Sequence, residues 1–447
     1  MSTRNKLLIV FGLLIIMFIC SGVFAETNEK WGDLTWPLED SVLTISGNGS
    51  MKEGYKEGAW DERTYPWTEN IKKEKIKKVI IEEGVTEIAY AAFKGIPNAI
   101  ESVELPNSLT TINDFAFGGC VKLNEIKLPE SLRYIRSWAF NDCGEFSVFY
   151  IPASVKEINV SAFYDTKISA FKVSEDNPNY KTVNGALLTK NGKELIRAGT
   201  ATEEFDIPES VKIICCMCFQ FSPIKHITIP ASVKEIVNLA FELSDLESVD
   251  LYCDKAKLGE SIFDRCYKLQ NVKFIGSFKS ISRMMFSDCT ALSEIHLPAS
   301  VITIGDAAFQ NCKSLKSIVL HSKVKKIADN AFSHETLIYC IPKSKAQQWA
   351  KRNDYQYDKY VPVKKVQCKD KKVNITVGDT YQPEIDYSLS NATFQEMDWS
   401  ISNQDICTVD KEGCITAIAA GTCKIIGVTI DGSGKKIEYT VSVSSVK

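Results

Sequence analysis

The chain has 447 residues, with 53 basic and 56 acidic side chains and a formal charge of −3. That length exceeds one ordinary domain, and an apolar fraction of 45% excludes a disordered chain. A basic excess or patch, the electrostatic mark of a nucleic-acid binder, is missing.

Arg4 and Lys6 open the chain, and an apolar run fills residues 7–20. Val23 and Ala25 put small residues at the usual cleavage positions before Glu26. Residues 1–25 are therefore expected to be a signal peptide, whose removal lowers the formal charge to −5. A lipid anchor on Cys20 fits less well, because bulky Met17, Phe18 and Ile19 precede it. A second apolar stretch long enough to span a bilayer is not found, so the expected location is outside the cell, free or wall-associated. Residues 26–75 follow, with strand-like alternation over 31–36 and 41–46. Trp31, Trp36, Trp60 and Trp67 suit a cap that covers the first turn of a stack, and an aromatic ligand site is the alternative.

A repeat occupies the middle of the chain. Phe93, Phe117, Phe140, Phe163, Phe219, Phe241, Phe263, Phe286, Phe309 and Phe332 recur at 22–24 residues, apart from one interval of 56. Each unit has a strand-like L-x-x-I-x-L-P, as at residues 123–129 and 292–298. A second extended piece, S-V-x-x-I, is seen at 154–158, 232–236 and 300–304. An A-F segment follows, which reads as a half-turn of helix. Alternation turns Ile126 and Leu128 inward and Glu125 and Lys127 outward, and the proline ends the strand. No unit buries its own apolar side, so the units must stack. Cys120, Cys143, Cys266, Cys289 and Cys312 each lie three residues after a repeat phenylalanine. Residues fixed in one column point the same way, which suits buried free thiols better than disulfides. Cys215, Cys216 and Cys218 are left open. The long interval contains Asn184-Gly185 and Asn191-Gly192, two hairpin signals, and is expected to be a β-hairpin insertion at about 174–204. It could grip a partner or lie on the flank of the stack. Ser344 can cap a short helix whose Ala346, Trp349 and Ala350 share one face, closing the stack at about 342–360. The linker at Val361-Pro362 is too short for free tumbling. From 362 to 447, strand-like pieces of period two alternate with Gly- and Asp-rich turns, which points to a β-sandwich.

The motif L-x-x-I-x-L-P-x-S-V-x-x-I-x-x-x-A-F-x-x-C resembles a leucine-rich repeat, and more narrowly the BspA-like class of bacterial surface proteins. Residues 76–361 carry it, and 123–143 and 292–312 match it almost whole. The C-terminal segment resembles the group-2 bacterial immunoglobulin-like domain, through residues 377–380, 399–403, 413–417 and 420–422. The fold so implied is mainly β: a solenoid of about 10–11 turns of ~23 residues with one hairpin insertion, then an Ig-like sandwich. The resemblance implies adhesion to host or matrix proteins or to other cells.

Catalytic signatures are missing: there is no H-E-x-x-H, G-x-S-x-G or phosphate-binding loop. His226 and His296 lie on outward positions three turns apart, about 14 Å at the strand spacing, too far to share a metal or a proton. Neither a cofactor nor a metal is expected. The outward side of the ladder is the candidate partner-binding surface, with Val148 and Tyr150 as an apolar-aromatic step and Lys127, Lys172, His226, Lys273 and His296 beside it. The expected function is non-enzymatic binding of a protein or cell-surface ligand by a monomer. The alternatives are an accessory role in polysaccharide or cell-wall processing, and a structural spacer.

Overall fold

A computed structural model describes residues 30–31, 33–51, 65–69, 75–94, 96, 99–388 and 391–445. Residues 1–25, the expected signal peptide, and Trp60 fall outside these residues, as does the side chain of Trp31.

The repeats stack as parallel ladders. The L-x-x-I-x-L column builds one, seen in the sheet of Val42–Gly47, Lys78–Ile81 and Ser102–Glu104 and again in that of His226–Ile229, Ser248–Leu251 and Asn271–Phe274. Its inward residues are buried, Phe274 only in part, and its outward ones exposed or half-buried, as period-two alternation requires. Residues 125–128 and 294–297 keep that alternation but form no ladder strand, although they belong to the two fullest copies of the motif. The S-V-x-x-I column forms a second ladder of two-residue strands, such as Thr111–Ile112, Tyr134–Ile135 and Glu157–Ile158.

The serine of L-P-x-S-V has a structural use. Ser131, Ser154, Ser232 and Ser300 each donate a hydroxyl to the carbonyl of the preceding turn's inward residue, at 2.6, 2.7, 3.2 and 2.7 Å. A buried carbonyl beyond the ladder is thereby satisfied.

The A-F segment is not helical. Around Phe117, Phe140, Phe219, Phe241, Phe263, Phe286 and Phe309 the residues two before and two after the phenylalanine have positive φ, as in Phe115 (56°), Trp138 (53°), Asp142 (50°), Met284 (51°) and Asp288 (57°), whereas around Phe163 only the later one does and around Phe332 neither does. The backbone N–H groups then alternate in direction. Those of Phe115, Phe117 and Gly119 donate to the next turn at Ser137, Ala139 and Asn141, while those of Ala116, Gly118 and Cys120 close local turns. This third set of inter-turn bonds replaces the i→i−4 bonds of a helix. Two left-handed residues per turn are strained for side chains other than glycine, and the stack on either side holds them there.

The phenylalanines form the spine. Phe93, Phe117, Phe140 and Phe163 stack at 5.3, 5.5 and 6.0 Å between ring centroids. Phe219, Phe241, Phe263, Phe286, Phe309 and Phe332 stack at 4.6, 5.2, 5.5, 5.4 and 5.2 Å. Trp67 extends the column at its start, stacked on Phe93 at 6.2 Å, with Trp36 edge-on to it and its indole N–H donating to the carbonyl of Ala92. At the other end the helix Lys345–Arg352 is N-capped by Ser344 and buries Ala346, Trp349 and Ala350. Trp349 meets Phe332 edge-on at 5.8 Å.

The cysteine column is buried among these rings. Cys143, Cys266, Cys289 and Cys312 donate their thiols to the carbonyls of Phe117, Phe241, Phe263 and Phe286, one turn back, at 3.0–3.3 Å. Burial pushes the thiols of Cys120, Cys266 and Cys312 up to about 12.

The long interval is a three-stranded meander of Tyr180–Val183, Ala186–Thr189 and Glu194–Arg197. Asn184 and Gly185 turn its first corner with positive φ, the geometry of a tight hairpin. The last strand pairs in parallel with Ile213–Ile214, so the meander is a link of the second ladder rather than an appendage. Here the apolar core divides into an N-terminal and a C-terminal cluster. Arg197 lies at the division with its side chain buried. It donates to the carbonyls of Met217 and Thr166 at 2.6 and 3.0 Å, and to Gln220 at 3.4 Å. Gln220 in turn donates to Asp165 and Glu242.

Residues 365–444 form three sheets, of two, four and three strands, around a third core of their own, centred on Trp399, Ile425 and Tyr439. Gly413 and Gly427 let the Trp399 ring lie against the backbone, since a Cβ at either would approach it to 2.3 and 2.7 Å. This unit docks on the solenoid. Asp431 is fully buried, its carboxylate accepting from the backbone N–H groups of Val363 (2.6 Å) and Ser433 (2.9 Å) and its carbonyl from the Tyr360 hydroxyl (3.2 Å). Tyr339 meets Phe394 edge-on, and Gly432 packs against the His321 ring.

Candidate functional site

The outward side of the first ladder carries the predicted residues, and the structure sorts them into three places. Val148 and Tyr150 project from the strand Phe146–Ile151, 53% and 38% exposed. Their register partners on the strand Ile168–Val173 are Ala170 and Lys172. Lys127, exposed, lies one turn earlier. Tyr150 is thus paired with Lys172, and Lys127 stands 23 residues, one repeat, before it in the chain. An exposed tyrosine on a fixed strand loses little side-chain entropy on contact and presents an apolar ring with a polar tip, which is the usual make-up of an interface anchor.

His226 stands elsewhere, exposed, its ring held by the Ser248 hydroxyl at 2.8 Å. It shares no contact with His296.

Lys273 and His296 are brought together, and with a surface that the repeat pattern does not announce. They line a cleft of about 520 Å³ between the solenoid and the sheet face of the C-terminal domain, with Asp398, Ser400, Val428 and Lys436 opposite. His296 bridges the two domains. Its Nδ1 is 2.9 Å from Asp398 and its Nε2 2.7 Å from Glu294. Burial alone would lower its pKa, but the hydrogen bonds that the ring donates to both carboxylates outweigh burial and push it up to about 9. Both nitrogens then donate, and the imidazolium ties the domains together.

That tie has a pH sign. A pKa raised above the usual 6.5 contributes stability that is complete below about pH 6.5 and is lost as pH rises through about 9. The expected result is that docking of the C-terminal domain weakens by on the order of 1–2 kcal/mol between pH 6.5 and 9.5. Denaturant melts of that domain, followed at Trp399, check it. Asp398→Asn should flatten the pH dependence, and an unchanged slope would contradict the bridge.

A second polar group lies on the other flank. Arg265 pairs with Glu242 and with Asp264. Burial raises the pKa of Asp165, Glu242 and Asp264. Glu242 and Asp264 are almost wholly enclosed, so these carboxylates serve packing and have no open face toward a substrate. Among the described residues no cluster of histidine, cysteine or carboxylate side chains has the arrangement of a metal site. No helix among them is long and apolar enough to cross a membrane.

The comparisons with known proteins fit this architecture. The model of the BspA type leucine rich repeat region matches in six copies over residues 70–183, 196–294 and 257–359. That of the group 2 bacterial Ig-like domain matches residues 362–440. No curated protein matches the chain. Among solved structures, a leucine-rich repeat protein from Eubacterium ventriosum is 24% identical, with a TM-score of 0.55, covering 68% of this chain and 93% of its own. A leucine rich cell surface protein from Faecalibacterium prausnitzii is 21% identical, with a TM-score of 0.43, covering 71% of this chain and 95% of its own.

Proposed function

The chain belongs to the BspA type leucine rich repeat family and carries a group 2 bacterial Ig-like domain behind its repeats, and from that premise we propose that it is a non-enzymatic binding protein exported to the cell surface or beyond. The observation that supports this reading is the step at Val148 and Tyr150, two exposed apolar side chains on a backbone that the stack holds rigid, with Lys127 and Lys172 in the adjoining rungs. An apolar centre with a charged surround is what a protein partner with an acidic rim would fit. The Ig-like domain holds the ladder away from its point of attachment. The basic, apolar and small-residue order of residues 1–25 supports export.

The test is a screen of the purified mature protein against immobilised matrix proteins, peptidoglycan and glycans. Binding without turnover is expected. Tyr150→Ala should weaken binding at least tenfold, and Val148→Asp at least as much, without moving the melting temperature by more than a few degrees. Hydrolysis of any of these materials, abolished by changing a single carboxylate, would overturn the proposal. So would binding that ignores both substitutions.

A further inference from the structure

We propose that Cys407 and Cys423 are joined by a disulfide in the exported protein, so that the three-stranded and four-stranded sheets of the C-terminal domain are covalently pinned while the cysteines of the repeat column stay as thiols. The inference rests on position. Cys407 belongs to the strand Cys407–Val409 in one sheet and Cys423 to Gly421–Thr429 in the facing sheet. Their sulfurs are 3.0 Å apart, closer than two sulfurs rest in ordinary non-bonded contact. Both are buried in one core with Trp399 and Tyr439. This is the only sulfur–sulfur contact of its kind among the described residues.

The contrast with the repeat column is chemical. A column thiol has a partner already, the carbonyl one turn back, and its neighbours in the column share its direction. Cys407 and Cys423 come from opposite walls and meet head-on. The sulfur of each is the other's polar partner.

The bond needs an oxidant, and a disulfide-bearing one suffices. One thiolate attacks the oxidant's disulfide, forming a mixed disulfide and releasing one thiol. The second thiolate attacks the protein sulfur of that bond and releases the other thiol. Two cysteine thiols and one external disulfide become one protein disulfide and two external thiols, with the protons passing to the departing sulfurs. Burial in the finished domain pushes the Cys423 thiol up to about 12, so little thiolate is available there. The exchange therefore belongs to folding, before the sheets close. The closed loop contains the strand Ile415–Ala417, the neighbour of Cys407–Val409 in its sheet.

The availability of the oxidant rests on the export reading, and the test separates the two. The full mature chain is secreted through an oxidising compartment, purified without reductant, alkylated in guanidinium chloride and digested. The expected result is one linked peptide pair carrying Cys407 and Cys423, lighter by two hydrogens than its parts, with Cys120, Cys143, Cys266, Cys289 and Cys312 alkylated. A second sample, made reduced and refolded with oxidised glutathione, supplies the oxidant directly. Linkage in this sample alone upholds the pairing and removes the export reading. Alkylation of both cysteines in both samples, or either one linked elsewhere, overturns the proposal. Reduction should also lower the melting temperature of the C-terminal domain by several degrees in the wild type and leave a Cys407→Ala, Cys423→Ala variant unmoved. Equal shifts in the two proteins would also count against the bond.

Discussion

Phe286→Ala is expected to lower the unfolding free energy by about 3–5 kcal/mol, the range for truncating an aromatic side chain inside a packed core. The ring has no solvent exposure and lies between Phe263 and Phe309 at 5.5 and 5.4 Å, with Phe274 edge-on at 6.4 Å. Removing it takes away two stacking partners at once and leaves a cavity bounded by rungs that are themselves tied to their neighbours. Those rungs cannot collapse inward, because the Phe286 backbone still donates to Ala308 and receives the thiol of Cys312. Tyr267→Ala is the matched control, a residue of similar size in the preceding turn that is 50% exposed, and its effect should stay within about 0.5 kcal/mol. Denaturant titrations of both variants decide the matter. Equal midpoints for the two would mean that the spine is not what holds the stack.

Arg197→Ala should be comparably severe, about 3–5 kcal/mol, by a different route. Its guanidinium is enclosed where one apolar cluster ends and the next begins, and burial pulls its pKa down to about 10. Its hydrogen bonds are to carbonyls and an amide oxygen rather than to a carboxylate. Truncation leaves the Thr166 carbonyl without its guanidinium donor, leaves the Met217 carbonyl with the Gln220 backbone N–H alone, and frees the side chain of Gln220, which bridges Asp165 and Glu242. Lysine is no substitute, because one ammonium lacks the planar fork that reaches acceptors on both sides. The loss should also appear as a split. Calorimetry of Arg197→Ala is expected to resolve two transitions, one for each apolar cluster, where the wild type has them coupled. A single transition at the wild-type temperature would show that this polar layer couples nothing.

Much of the architecture could be read from spacing, since a stack repeats its instructions. Ten phenylalanines at a near-constant interval predict a column, and the column is there. The cysteine three residues later was legible for the same reason. At that position after Phe163 and Phe241 stand Thr166 and Ser244, also small and hydroxyl-bearing, whereas Ile96 and Glu335 hold it after Phe93 and Phe332. The A-F segment was misread because its apolar spacing suits a helix. What decides it is a pair of left-handed residues in most turns, among them Phe115, Trp138 and Met284, whose identities carry no glycine signal. Those conformations are imposed by the rungs on either side, and no local propensity foretells them.

The candidate surface was legible only in part. Alternation told which residues face outward, and Tyr150, Val148 and Lys172 do so. It could not tell that Lys273 and His296 stand under a second domain. Asp398 lies 102 positions from His296, in a unit with its own period, and no pattern links the two. Docking of this kind depends on Asp431, Tyr360 and Gly432, single residues that gain their meaning only when the two surfaces meet.

The serine hydroxyls, the thiols and the alternating amides all reach just one turn away, bonding partners about 22–26 residues apart. A molecule wired this way has a length that comes in whole steps. A duplicated or lost segment of 23 codons would leave both terminal lids and every surviving bond in place, changing the reach by one strand spacing of about 4.8 Å. Reach can therefore be tuned by gene slippage, without a new fold having to be found.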